Sequence, residues 1–527
     1  MSSNIKSPDR KAKKKELDAI LVDGKSLSIE DLAAVSSEMC EVRLRSEAIS
    51  SMQKSEQMID QIIKEKKPIY AISTGVGGLS NTVIDSATSE EFQKRILFSC
   101  SVGVGDALSE EVVRAAILCR LNTFASGHSG VRPQIADFLC NLLNYHVYPF
   151  VPEQGSLGCS GDIAPLAHIG LLALGEGEVI LKDGKRVLAK ETLSALGLKP
   201  IKLRAKEGVS LVNGCSLSAG LAALCCHKAT NLLKAAEIIA SMSVEALAGS
   251  ASGFHNLLIG AKPHNGQVRV ASDIRRLIEN SSLIKSSPND PYTIKAIPQV
   301  LGTACDALSF ASEVARIEIN SSSDNPLLFS EQNEIISGAN FHAQEVAFIM
   351  DALAIALTPV GDLSERRVER LLNPSLSNKL PPFLVKNQGI NSGFLDAQFT
   401  IAALAAENKT LCAPASVNPS SVSAAAEDHA SQAPIAGRKL LKLISNLEFI
   451  LAIEMICAAQ ALDFRMEAGH EETMGKGVRA AYELCRSEIS FLVDDRILYH
   501  DFERAKQIIR SGSLVGSVEE TIGSLLG

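Results

Sequence analysis

Four Ala/Leu-rich stretches, at residues 216–250, 299–320, 343–372 and 435–464, constrain the fold more than any other feature of the chain. A helix that is apolar on most of its surface has to bury that surface against other helices of the same kind. Aromatic residues make up only 4% of the chain and Trp is absent, so Leu, Ile, Val and Ala must fill the interior. The expected class is therefore mainly α, with a long-helix bundle core and a smaller N-terminal region of mixed helix, loops and short strands. These helices are longer than a monomeric bundle requires, which points to burial between copies of the chain. At 527 residues the chain has ample material for a large interior. We expect a flexible basic tail at 1–18, an N-terminal region at 19–210, the bundle at 211–470 and a C-terminal helical segment at 471–527. No internal repeat is evident.

Local signals fill in the N-terminal region. Residues 19–24 read as a short strand and turn, and Ser28-Ile29-Glu30-Asp31 has the form of a capping box. Residues 68–72 look like an apolar strand leading into a glycine-rich loop that ends at Gly78. Helical periodicity covers 90–100, 109–126 and 133–144, with Gly127-His128-Ser129-Gly130 as a polar break. Residues 178–188 form a hairpin pattern around Asp183-Gly184.

Charge and cysteine usage exclude several functions. A net charge of −8 supplies no positive field for nucleic acid. No apolar run reaches the ~18 uninterrupted residues of a membrane span, and the basic start of the chain is followed by no apolar signal core. The 12 cysteines show no C-x-x-C spacing and no grouping with His at metal-ligand intervals. Neither a metal, nor a disulfide framework, nor an external cofactor is expected. A reducing cytoplasm and a small-molecule ligand fit better.

The chemistry concentrates in residues 155–168, where three glycines, an internal Ser160 and a proline-opened apolar run share one short segment. Such a segment reads as a strained turn feeding a helix. Glycines reach backbone conformations closed to other residues. The Gly161 nitrogen could then attack the Cys159 carbonyl carbon. Loss of water at that carbon, and of a second water from Ser160, would leave a five-membered ring carrying an exocyclic alkene. That ring is an electrophile no ordinary side chain supplies. A glycine-rich loop that merely caps a helix explains the stretch about as well.

At these residues the chain resembles the aromatic amino acid ammonia-lyase and aminomutase family, which forms a methylidene-imidazolone group from an internal Ala-Ser-Gly. Here the tripeptide is Cys159-Ser160-Gly161, and the first residue lends only backbone atoms to the ring. Short blocks from about Pro68 to Arg465 match in chain order, closest to the histidine ammonia-lyase type. The resemblance implies a helical homotetramer whose sites draw on three subunits. It assigns Tyr70 as the base, before Thr74-Gly75-Val76-Gly77 where the family has Phe in place of Val76. Asn213 would hydrogen-bond the electrophile, Tyr292 would assist elimination, Asn325 would approach the substrate carboxylate, and Phe341 would pack near the ring. A phenol releases its proton near ~10 in water, so a tyrosine base needs cations or helix N-termini around it. Each residue also has an ordinary reading. Tyr70 could anchor a loop, Asn325 could close a helix, and Phe341 could be a buried aromatic.

Substrate-binding positions depart from the family in places. Its carboxylate-binding Arg is Lys295 here and its Gln is Asn289. A lysine offers one point charge where arginine offers two parallel hydrogen bonds, so binding is either weaker or helped by Asn325. The family's selectivity pair is Ser99-Cys100, whose Ser suits the histidine type while Cys100 lacks its imidazole. Glu427, in a Glu-Asp-His block typical of the histidine type, could accept from a substrate ring N–H; a solvated helix start would also explain it. Together these imply an ammonia-lyase acting on an L-amino acid with a ring side chain, histidine before tyrosine or phenylalanine. A 2,3-aminomutase and a helical scaffold that has lost catalysis are the rivals.

Overall fold

A computed structural model describes residues 19–85, 87–286, 289–468 and 473–526, so the tail expected at 1–18 lies outside the described residues. The chain opens with β1 (Ile20–Val22), α1 (Ile29–Ser37), β2 (Val42–Leu44) and α2 (Ser46–Glu65). Ser28 caps α1 as expected: its hydroxyl accepts from the Asp31 N–H while the Asp31 carboxylate accepts from the Ser28 N–H. Then follow α3 (Ser89–Cys100), β3 (Val104–Ala107), α4 (Glu110–Ala125), α5 (Pro133–Asn144), β4 (Pro152–Gln154) and α6 (Ile163–Gly170). The hairpin is β5 (Glu178–Ile180) with β6 (Arg186–Leu188), antiparallel, and short helices α7 (Ala189–Ala195) and α8 (Glu207–Val212) lead to the bundle.

The four apolar stretches become α9 (Ser216–Ala246), α13 (Ile297–Glu318), α14 (Gln344–Leu372) and α16 (Ala433–Ala468). Between them lie α10 (Asn256–Gly260), α11 (Asn265–Leu277), α12 (Tyr292–Lys295), the β7 (Leu327–Phe329) and β8 (Glu334–Ile336) hairpin, and α15 (Leu395–Leu411). Helices α17 (Lys476–Glu488), α18 (Tyr499–Arg510) and α19 (Ser513–Ile522) close the chain. In the bundle α9, α14 and α16 pack against one another and α13 packs on α9 and α14. By length and composition α14 could cross a membrane. Here it is a core helix, packed on α13, α15, α16 and α9 and carrying Arg367, which pairs with Glu454 of α16 at 2.5 Å with both side chains fully buried. One cluster of buried apolar side chains runs from Val22 to Leu525, drawing on all three of the expected structured regions.

One local expectation fails. Residues 68–72 form no strand but a turn, with the Ile72 and Ser73 N–H groups both donating to the Ile69 carbonyl. The Ser73 hydroxyl closes it, donating to the Lys67 carbonyl and accepting from the Ile69 N–H, and Ala71 takes a φ of +59°. Ile72 is buried against Ile59 and Ile62 of α2 and against Leu328 of β7, with Ile69 beside it, so the side chains that suggested a strand are buried without one.

Candidate active site

The loop between β4 and α6 is held by backbone contact. Gly161 pairs with Gly214 in a parallel bridge: the Gly214 N–H donates to the Ser160 carbonyl at 3.3 Å and the Asp162 N–H to the Gly214 carbonyl at 2.7 Å. Gly161 has a φ of +82°, and a methyl group there would overlap the Gly214 carbonyl, so glycine is required. The Asn213 Nδ2 also donates to the Ser160 carbonyl at 3.0 Å, while its Oδ1 is buried without a partner. Three helix N-termini converge here. α6 begins directly after the loop and α9 directly after Cys215. Just ahead of α16, the Ser431 hydroxyl donates to the Gly158 carbonyl and the Gln432 N–H to the Leu157 carbonyl. The N-terminal ends of α6 and α16 turn partial positive charge toward Cys159-Ser160-Gly161, while that of α9 is partly taken up by the Asp162 carboxylate, which accepts from the Ser218 N–H.

Beneath the loop sits a buried polar layer that the sequence reading missed. Asp162 is fully buried and accepts from the Ser218 N–H (2.8 Å) and hydroxyl (2.7 Å). Burial pushes its carboxyl up to about 6, against the pull of those Ser218 donors and of Arg120. Lys206 and Asp324 pair at 2.8 Å with no exposure. Arg120 donates through Nη1 to the Ser210 carbonyl but leaves Nε and Nη2 without partners. The available signal was a pair of arginines, Arg114 and Arg120, inside the largely apolar run of α4, since charges in such a run must find buried company.

A raised carboxyl means that the folded chain holds a proton between about pH 4 and 6 that the unfolded chain has released. Stability from this group is thus present at low pH and lost as pH rises through its folded value. Relative to Asp162→Asn, the native chain should lose about 2 kcal/mol of folding stability between pH 4 and 7. Denaturant titrations across that range check it, and parallel profiles for the two proteins would count against it.

The glycine-rich loop after Tyr70 closes over the same end. The Gly77 N–H donates to the Tyr70 hydroxyl at 3.3 Å. A Cβ on Gly77 would lie 3.0 Å from the Ser423 hydroxyl and 4.0 Å from a Glu427 carboxylate oxygen. Burial raises the Cys100 and Cys159 thiols, and the Glu427 charge adds to both shifts, so Glu427 lies within electrostatic range of both sulfurs. Ser99 lies at the end of α3 with its hydroxyl 4.0 Å from the Cys100 sulfur. Glu427 opens no helix; it bridges back to Val422 within the loop before α16.

Asn325 joins this end through Ser323, whose carbonyl lies against Gly214. It stands well beyond the end of α13 at Glu318, and its Oδ1 accepts from the Gly338 N–H (2.8 Å) and Ser337 hydroxyl (3.2 Å). Phe341 follows in that segment, beside His342, whose Nε2 lies 3.2 Å from His429 Nδ1. Asn289, Tyr292 and Lys295 do not join them. The Lys295 ammonium donates to Asn289 Oδ1 at 2.6 Å and lies 4.8 Å from the Tyr292 ring centre. The Tyr292 side chain is 77% exposed. Their helix α12 is tied to Arg367, and so to Glu454, whereas the Gly158 turn abuts Pro434. At 1.5 Å per residue along α16, the two groups are roughly 30 Å apart within one chain.

The chain and its fold have counterparts among known proteins. A family model described as aromatic amino acid lyase matches residues 27–487. A histidine ammonia-lyase of Treponema denticola is 42% identical over 503 residues, covering 95% of this chain and 98% of that protein. A tyrosine aminomutase structure from Streptomyces globisporus superposes with a TM-score of 0.91 at 36% identity, covering 97% of this chain and all of that one. A histidine ammonia-lyase structure from Trypanosoma cruzi gives 0.89 at 35% identity, covering 95% of each chain. With its helical bundle, its glycine-built loop and a match along most of its length, the chain belongs to the aromatic amino acid lyase family.

Proposed function

We propose that this carbon–nitrogen lyase eliminates ammonia from an L-amino acid with a ring side chain, histidine first, giving an α,β-unsaturated acid. The observation that carries the reading is the pairing of Ser160-Gly161 with Asn213-Gly214 under three helix N-termini. The residues present fit a methylidene-imidazolone formed from Cys159-Ser160-Gly161. Gly161 already sits where only glycine can, and Asn213 holds the Ser160 carbonyl with an unpartnered buried oxygen to spare. When formed, that group supplies an electrophile that makes the substrate amine a better leaving group. The chain's own residues do the rest. Tyr70, whose oxygen accepts from the Gly77 N–H, takes the β-proton. Glu427 meets the substrate ring next to Ser99 and Cys100, and Asn325 meets its carboxylate.

Asn289, Tyr292 and Lys295 enter from another copy. The exposure of Asn289 and Tyr292, and the roughly 30 Å that separates the three from Ser160 along α16, support a site completed between subunits of a homotetramer. The histidine preference draws on the Treponema denticola relative, which is a histidine ammonia-lyase, and on Glu427. A cytoplasmic setting suits free cysteines.

Incubation with histidine, tyrosine and phenylalanine, followed in the near ultraviolet, tests the reading: histidine should give the fastest rise of the unsaturated acid, and no rise with any of the three would defeat it. Cys100→His should raise kcat/KM for histidine roughly three- to tenfold, the worth of one added hydrogen bond. Unchanged kinetics would remove Cys100 from the substrate pocket. The 2,3-aminomutase reading draws on the likeness to the Streptomyces globisporus enzyme, and a β-amino acid in place of free ammonia would decide for it.

A further inference from the structure

The segments carrying Phe341 and Glu427 are both irregular. Residues 337–343 run between β8 and α14, and residues 412–432 between α15 and α16. The second takes positive φ at Ser423, Ala424, Ala425 and Gln432. Gly338, Ala339 and Asn340 are exposed, so little packing holds the first segment. It is pinned at its start by Asn325, which accepts from the Gly338 N–H and the Ser337 hydroxyl. At its other end the loops meet through the histidine pair, His342 Nε2 to His429 Nδ1 at 3.2 Å with ring centres 5.3 Å apart, and directly after it the Gln344 Nε2 donates to the Ser416 carbonyl at 3.3 Å.

We infer that His342 and His429 are positioning residues, a latch that fixes the Phe341 segment against the Glu427 segment and so sets the spacing of two walls of the substrate pocket. The inference rests on the proposed function for the roles of Phe341 and Glu427, but not for the latch itself. A 3.2 Å contact between ring nitrogens needs one N–H donor and one bare acceptor. Two imidazolium rings would set N–H against N–H and two positive charges about a ring's width apart, so the latch opens when both are protonated. Burial and the neighbouring His429 ring hold His342 below its usual range, opposed by a hydrogen bond to the His429 backbone and then by Glu345 in the first turn of α14. Glu427 and Asp428 are the remaining charged groups on the opposing segment. The latch is therefore closed at neutral pH and is lost as pH falls below the ordinary histidine range.

The test uses the full-length enzyme with His429→Gln, which can donate and accept but does not titrate, and His429→Phe, which can do neither. At pH 8, His429→Phe should raise KM for the amino acid about tenfold with kcat within about threefold, and His429→Gln should restore KM. Hydrogen exchange, corrected for intrinsic rates, reads the latch without turnover. Protection at 338–343 and 422–430 should fall together between about pH 7.5 and 4.5 in the native protein and hold in His429→Gln. An unchanged KM in His429→Phe, or protection that ignores pH in the native protein, overturns the latch. If no amino acid is turned over, the exchange result alone decides it, and only the functional reading fails.

Discussion

Ser160→Ala should fold normally and lose turnover by on the order of 10⁴-fold or more, the scale of losing a covalent catalytic group outright. The argument has two parts. Ser160 contributes its carbonyl to the pairing with Asn213 and Gly214, and alanine keeps that carbonyl. What alanine removes is the hydroxyl whose loss would create the alkene. The native protein should weigh less than its sequence by two waters, and the variant should lack the water that comes from Ser160. Intact-mass spectrometry with steady-state rates checks both halves. A native chain of full unmodified mass would end the proposal whatever the rates.

Tyr70→Phe should lower kcat by about 10² to 10⁴-fold, the range for removing a positioned general base, with a small change in KM. The phenol oxygen receives the Gly77 N–H, so loss of the hydroxyl leaves one loop amide to find water and should not unfold the chain. If Tyr70 removes the β-proton, the deuterium isotope effect at that carbon should grow in the variant as proton abstraction becomes limiting. A kcat within a few-fold of native would move the base elsewhere.

The helices show how far sequence pattern reaches. The stretch read as 343–372 folds as Gln344–Leu372 and that read as 133–144 as Pro133–Asn144, because burying an apolar face and opening on proline are local instructions. The capping box at Ser28 is equally local. Residues 68–72 misled because an apolar run records that it will be buried, and not whether a strand or a turn will bury it. Asp162 lay in plain view inside the reactive stretch, yet nothing nearby in sequence announced that Ser218, 56 residues on, would hold it.

For this protein the order of residues alone determined a helical interior poor in aromatics and a Cys159-Ser160-Gly161 tripeptide set among glycines, since both depend on neighbours along the chain. Only the tertiary structure decided which of the named residues meet. Tyr70, Cys100, Cys159, Asn213 and Glu427 gather at one end of α16, while Tyr292 and Lys295 stand toward the other, with the Tyr292 side chain outward. The physical reason is that a long helix converts separation in sequence into distance along a rigid axis, so residues meet only where their elements cross at the same height.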